Sequence, residues 1–200
     1  MHQVAFFVSI PAGAALVAFA TSASGRVGAI VYALSLTGLF GTSAAYHRLA
    51  HGVRARAVMR RLDHAMIFVL IAGSYTPMCL LALRGSWRVA ALSAVWSVAA
   101  VGVALKVFRL QAMRLGNSLY VVLGWAVLLI LPQLTDRVGA ATIVLLGAGG
   151  VLYTVGAVVL TRRRPDPVPH VFGYHEVWHS LVVAAAACHY VMILRVVQAA

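Results

Sequence analysis

Five polar side chains in this sequence have the types and the spacing to hold and use a metal ion. Ser43 and His47 stand four residues apart at the end of one apolar run, Asp63 opens the next, and His175 and His179 stand four apart where the last begins. Residues four apart lie one helical turn from each other on a single face. Three neutral imidazoles suit Zn²⁺: each supplies one nitrogen at about 2.0–2.1 Å and the fourth tetrahedral position is left to water. Asp63 then has two uses, to orient or deprotonate that water or to accept a hydrogen bond from a ligand histidine. Ser43, one turn deeper than His47, hydrogen-bonds to a substrate or to Asp63. A proton path through Asp63 and the histidines is a further use of the same groups, because ionisable residues inside a membrane are often functional. Paired histidines near a helix end can also simply line a wet interface. What favours the metal reading is that His47 and Asp63 converge on them.

The other ionisable groups fit less well. Glu176 lies roughly a quarter-turn from His175 and reads as an inner-surface or supporting carboxylate. His51 and His170 sit in basic loops and read as solvated. His64 points off the face of Asp63 and is suited to a hydrogen bond within the bundle. His189 is about 15 Å farther along the helix than His179, too far to share an ion. His2 has no helical partner and is left outside the site.

These groups must be positioned by elements that the composition identifies. Sixty-two per cent apolar residues in a 200-residue chain, with a mean hydropathy of +0.94, mark an integral membrane protein. The net charge of +12 raises nucleic acid as a partner. The sixteen basic residues, however, fall in short breaks between apolar runs, which is the pattern of membrane topology and lipid headgroup contact. Nucleic acid is excluded on that ground; membrane lipids are the expected partners.

Seven apolar segments span 3–22, 27–47, 62–83, 89–107, 115–133, 140–160 and 175–195. Crossing the hydrocarbon takes roughly 20 helical residues, so the expected fold is all-α, an integral membrane seven-transmembrane helix bundle over residues 1–200 as one domain. The breaks are short, so sequential helices should be adjacent. The first run lacks a basic residue ahead of it and reads as a retained helix rather than a cleaved leader. Pro11, Pro77 and Pro132 are expected to bend or end helices. Trp87, Trp96, Trp125 and Trp178 read as interface or packing residues, and Gly147, Gly149, Gly150 and Gly156 as sites of close helix contact. Cys79 and Cys188 read as buried free thiols, without the spacing of a thiolate metal motif.

Orientation follows from the basic residues. Arg48, Arg54, Arg56, Arg60, Arg61, Lys106, Arg109, Arg114, Arg162, Arg163 and Arg164 share one face; Arg26, Arg84, Arg88, Arg137 and Arg195 share the other. The positive-inside rule puts the richer face in the cytoplasm, with the N-terminus inside and the C-terminus outside. Helix two then ends, and helices three and seven begin, at that inner face. Ser43, His47, Asp63, His175 and His179 meet at one depth.

The combined spacing of Ser43-Ala-Ala-Tyr-His47, Arg61-Leu-Asp63-His64-Ala-Met-Ile, Ala72-Gly-Ser-Tyr-Thr-Pro77, Gly149-Gly-Val-Leu-Tyr-Thr-Val-Gly156 and Phe172-Gly-Tyr-His-Glu-Val-Trp-His179 resembles bacterial hemolysin III proteins, within the progestin and adiponectin receptor family. The likeness covers roughly residues 25–195. It implies seven transmembrane helices in the bacterial plasma (inner) membrane and a cytoplasm-facing zinc site. It carries zinc ligation onto His47, His175 and His179, and water-positioning or supporting roles onto Ser43 and Asp63. The first segment departs from the pattern: many bacterial members have an acidic residue and then an Asn…Thr-His-Gly stretch there, and this chain has Met1-His-Gln-Val.

The family's similarity to membrane ceramidases implies a zinc-dependent hydrolase of amide or ester bonds in acyl lipids, with Asp63 as general base. One alternative is a nonenzymatic membrane-homeostasis or sensor protein in which zinc staples the second and seventh segments. The third is a hemolysin that permeabilises membranes, and no continuous polar helix face supports it.

Overall fold

The computed structural model describes residues 1–108, 113–135, 137–168 and 171–199. Arg109, counted above toward the basic face, and His170, read above as a solvated loop residue, lie outside these.

The described chain is helical: α1 His2–Ala18, α2 Ala23–Leu49, α3 Val53–Ala82, α4 Gly85–Phe108, α5 Met113–Trp125, α6 Leu131–Thr135, α7 Ala140–Arg162 and α8 Tyr174–Gln198. Five of them, α2, α3, α4, α7 and α8, are long and apolar enough to cross a membrane. At 17 residues α1 falls short of their length, and so does the apolar stretch Leu119–Leu129. The protein is an all-α, membrane-embedded bundle.

The expected fifth segment is not one helix. A 3₁₀ turn over Ala126–Leu129 separates α5 from the short α6. Pro132 has no amide hydrogen, so an unbroken α-helix through it would leave a carbonyl without its partner. At the end of α5, just before the 3₁₀ turn, the Tyr75 hydroxyl donates to Leu123 O at 2.8 Å and to Gly124 O at 3.2 Å.

Helix boundaries also differ from the apolar spans. The 48–61 stretch is not a loop, because α3 begins at Val53 and carries Arg54, Arg56, Arg60 and Arg61 on its first turns. Hydropathy cannot see a helix that extends past the hydrocarbon on charged residues. The turn before it is three residues long, and Gly52 adopts φ +84, a conformation that costs glycine little and other residues more. Ser22 caps α2 by accepting from the Gly25 amide at 3.1 Å.

The main helix contacts are α2 with α3, α7 with α8, α1 with α2, and α3 with α4, so sequential helices are neighbours as short connections require. The centre is α3: 67% of its apolar window is buried inside the protein, against 17% for that of α7. Small residues allow this. A Cβ on Gly28 of α2 would stand 2.8 Å from Pro77 Cα of α3, so only glycine fits that crossing. Gly149 lies against His189 and Gly156 against Trp178, while Gly147 faces open space and makes no close contact. Trp125 is half-buried and donates to Thr154, while Trp96 donates to Thr76 although it is exposed, as Trp87 is. Cys79 is buried, Cys188 half-buried, and both are free thiols.

Candidate metal centre

The end of α2 and the start of α8 meet at one end of the bundle. Ser43 and His47 stack one turn apart on α2, and His175 and His179 do so on α8. The start of α8 is pinned by two carboxylates. Glu176 accepts from the Gly173 amide at 3.0 Å, and Asp166 accepts from the Tyr174 amide at 2.7 Å. Both satisfy amides that a helix N-terminus leaves unpaired, and their charge suits its dipole. Glu176 is therefore a capping residue, and His175 sits on a fixed first turn.

One ring nitrogen from each of His47, His175 and His179 lies within 4.8 Å of the others. The Nε2 atoms of His175 and His179 are 2.9 Å apart, and those of His175 and His47 are 3.5 Å apart. Tetrahedral bonds of about 2.0–2.1 Å would separate such nitrogens by about 3.3 Å, between the two observed values. Each Nε2 offers one valence, a hydrogen or a lone pair. Three of them facing one point allow one N–H···N bond and leave a nitrogen over, whereas a single cation accepts all three lone pairs. The donor set fits a metal ion.

The rings are held by neighbours. Trp178 packs on His175 and His179, with centroids 5.3 and 4.6 Å away, and Tyr46 packs on His47 at 4.7 Å. His179 is buried, His175 half-buried and His47 exposed, so the cluster is closed at its floor and open at its rim.

A fourth histidine joins from α1, and the sequence reading missed it. His2 is buried, and its Nε2 lies 2.8 Å from His179 Nδ1. Its Nδ1 lies 2.8 Å from Ser43 Oγ. The missing clue was topological rather than local. With the N-terminus at the same face as the ends of the other site helices, position 2 must sit at their depth, although it has no partner one turn away.

Asp63 is buried on α3, ten residues after the helix begins rather than at its opening. Its carboxylate interacts with Ser43 and lies 3.9 Å from His64 Nδ1. Of the two partners open to Ser43 it has the carboxylate, together with His2. Ser43 thus stands between Asp63 and His2. His64 donates from Nδ1 to Arg60 O at 2.8 Å, and His51 is exposed. His189 stands apart from the cluster, near Leu146 O and the Tyr153 ring.

Residues 1–190 match the family model described as haemolysin-III related. The likeness therefore includes α1, which the motif reading had set apart. The chain is 31% identical over 197 residues to the hemolysin-3 homolog of Bacillus subtilis (strain 168), covering 96% of this chain and 89% of that one. It is 31% identical over 198 residues to hemolysin-3 of Bacillus cereus, covering 96% and 87%. Monocyte to macrophage differentiation factor of Homo sapiens is 25% identical over 175 residues, covering 85% of this chain and 70% of its own.

Proposed function

The chain belongs to the haemolysin-III-related family, and we propose that it is a zinc-dependent hydrolase of acyl lipids. The single observation carrying this reading is the one-sided histidine cluster, in which three nitrogens converge beneath an exposed rim residue, His47. A structural zinc site is closed by four protein ligands, whereas a catalytic one keeps a position free. Zinc held there supplies Lewis acidity, which polarises a carbonyl and makes water a nucleophile at neutral pH.

In this proposal His47, His175 and His179 are the ligands, and α8 sets two of them in register one turn apart. Asp63 serves as general base, and Ser43 holds its carboxylate by hydrogen bonding. The location of the cluster at the end of an apolar bundle favours a substrate with an acyl chain, whose carbonyl sits at the membrane surface. The resemblance to the progestin and adiponectin receptor family and to membrane ceramidases supports an amide or ester bond. The accompanying architecture is a single domain of seven membrane crossings in the bacterial plasma membrane, N-terminus in the cytoplasm and C-terminus outside. In it α1 spans at the short limit of length, and α5 to α6 form one broken span.

The test is turnover by detergent-purified, zinc-loaded protein across amide and ester lipids, ceramides included. Release of fatty acid that a chelator abolishes and zinc restores is the expected result. No turnover across that range, with zinc bound and the bundle folded, favours the second reading: a homeostasis or sensor protein in which zinc staples α2 to α8. That reading draws on the small contact between these two helices. Membrane lysis, the third reading, rests on the names of the bacterial relatives; zinc-independent dye release from liposomes would support it.

A further inference from the structure

We propose that His2 is a positioning residue of the metal centre, accepting the Nδ1 hydrogen of the ligand His179 while Ser43 anchors its own ring. The inference rests on the metal-binding reading above and assigns a role to a residue outside the three ligands.

The hydrogen-bond direction follows from ligation. If His179 turns its Nε2 toward the ion, that nitrogen carries a lone pair, and in a neutral ring Nδ1 must then carry the hydrogen. The atom 2.8 Å from that Nδ1 is His2 Nε2, which must accept. His2 then carries its own hydrogen on Nδ1 and donates it to Ser43 Oγ, again at 2.8 Å. The Ser43 hydroxyl, having accepted, has its hydrogen free to turn toward the Asp63 carboxylate. Every group in the chain is used once as donor and once as acceptor, until it ends in a carboxylate that only accepts. The reverse direction would place a hydrogen on His179 Nε2 and block ligation there.

Burial gives this wiring consequence. His2 is 7% exposed, Ser43 1%, Asp63 6% and His179 8%, so water does not readily substitute for a missing partner. The four residues come from α1, α2, α3 and α8, so the chain also fixes the rotation of the His179 ring relative to four helices. His2 is itself held edge-on by Phe40, with ring centroids 5.2 Å apart. Metal-ligating histidines ordinarily give their second N–H to a carboxylate, carbonyl or water, and losing that partner costs about 10–100-fold in metal affinity. Here the carboxylate stands two groups away, and His2 with Ser43 spans the gap.

Three variants of the full chain in detergent separate the wiring from ring packing. His2→Gln keeps an acceptor where Nε2 stood and so keeps the bond from His179. His2→Asn keeps a polar atom only where Nδ1 stood, so it retains the Ser43 contact and drops His179. His2→Phe keeps the ring and drops both. Zn²⁺ affinity is measured by chelator competition, Co²⁺ loading reports ligand geometry by its visible spectrum, and melting of the metal-free protein reports folding. Expected are a change within about threefold for Gln and a loss of about 10–100-fold for Asn and Phe, with an altered Co²⁺ spectrum in those two. Should Phe fail to fold, the Gln and Asn pair carries the comparison. Wild-type affinity and spectrum in Asn would overturn the proposal, as would a loss in Gln equal to that in Asn. Failure of the wild-type protein to bind Zn²⁺ would strike the metal-centre reading itself, a result distinct from either.

Discussion

His179 Nδ1 lies 2.8 Å from His2 Nε2, although 177 positions separate the two residues. The contact brings the first helix to the last at the point where α2 delivers His47 and Ser43. The cluster is therefore the place where α1, α2 and α8 agree on one geometry, and damage to it should be readable in both metal content and helix assembly.

Alanine at each ligand position tests the cluster directly. His47→Ala, His175→Ala and His179→Ala should each lower zinc affinity by more than about 100-fold, since a ligand is lost rather than a supporting partner. Metal content of the purified proteins, by mass spectrometry, should fall from one zinc per chain to a small fraction. His47→Ala should leave the metal-free bundle least disturbed, because His47 is exposed while His179 is buried. Full zinc occupancy in the triple alanine protein would remove these residues as ligands.

Helix packing is tested at Gly28. A Cβ there would lie 2.8 Å from Pro77 Cα and 2.9 Å from Pro77 Cβ, both atoms of a rigid ring residue inside α3. Gly28→Val should destabilise the bundle by about 1–3 kcal/mol, the usual cost of overpacking. Thermal unfolding in detergent should show a lower midpoint. Gly147→Ala is the matched comparison: it meets nothing within 4 Å and should leave the midpoint unchanged or slightly raised.

Topology is tested at the two tight turns that flank α3. Reporter fusions at Gly52 and at Arg84 should report opposite sides, cytoplasmic and external respectively, because a single apolar helix separates them. The same side for both would break the seven-crossing arrangement. The basic residues that set this expectation are mostly on helix ends: Arg54, Arg56, Arg60 and Arg61 belong to α3 itself.

Those arginines illustrate how far the sequence was legible. Long apolar runs and residues four apart reveal helices and faces, because both are local properties. Five spans, and the convergence of His47 with His175 and His179, follow from them. Three things were not local. The start of α3 lies on charged residues beyond the apolar window, and the break at Ala126–Leu129 depends on Pro132 and on a hydroxyl from Tyr75. His2 has no partner on its own helix, so its place in the site exists only through Ser43 and His179. Asp63 was legible as a member of the site, but its approach through Ser43 depends on how α2 and α3 are rotated.

Asp63→Asn separates catalysis from stapling. The amide is nearly the size of the carboxylate, and its oxygen still accepts from the Ser43 hydroxyl, so the wiring to His2 and His179 keeps its direction. Zinc content and the melting midpoint should therefore stay close to wild type. The amide cannot take up a proton from water, however, and general-base catalysis contributes about 10²–10⁴-fold. If Asp63 is the base, lipid hydrolysis should fall by that range, with the Co²⁺ spectrum unchanged. If zinc is a staple between α2 and α8, the same variant should retain its cellular function, whereas His179→Ala should unfold or loosen the bundle by removing a bond between helices. Turnover, zinc content and melting measured on the same preparations decide the matter. Activity lost with zinc retained points to chemistry at Asp63. Activity and zinc lost together would show that the carboxylate serves the metal rather than the substrate.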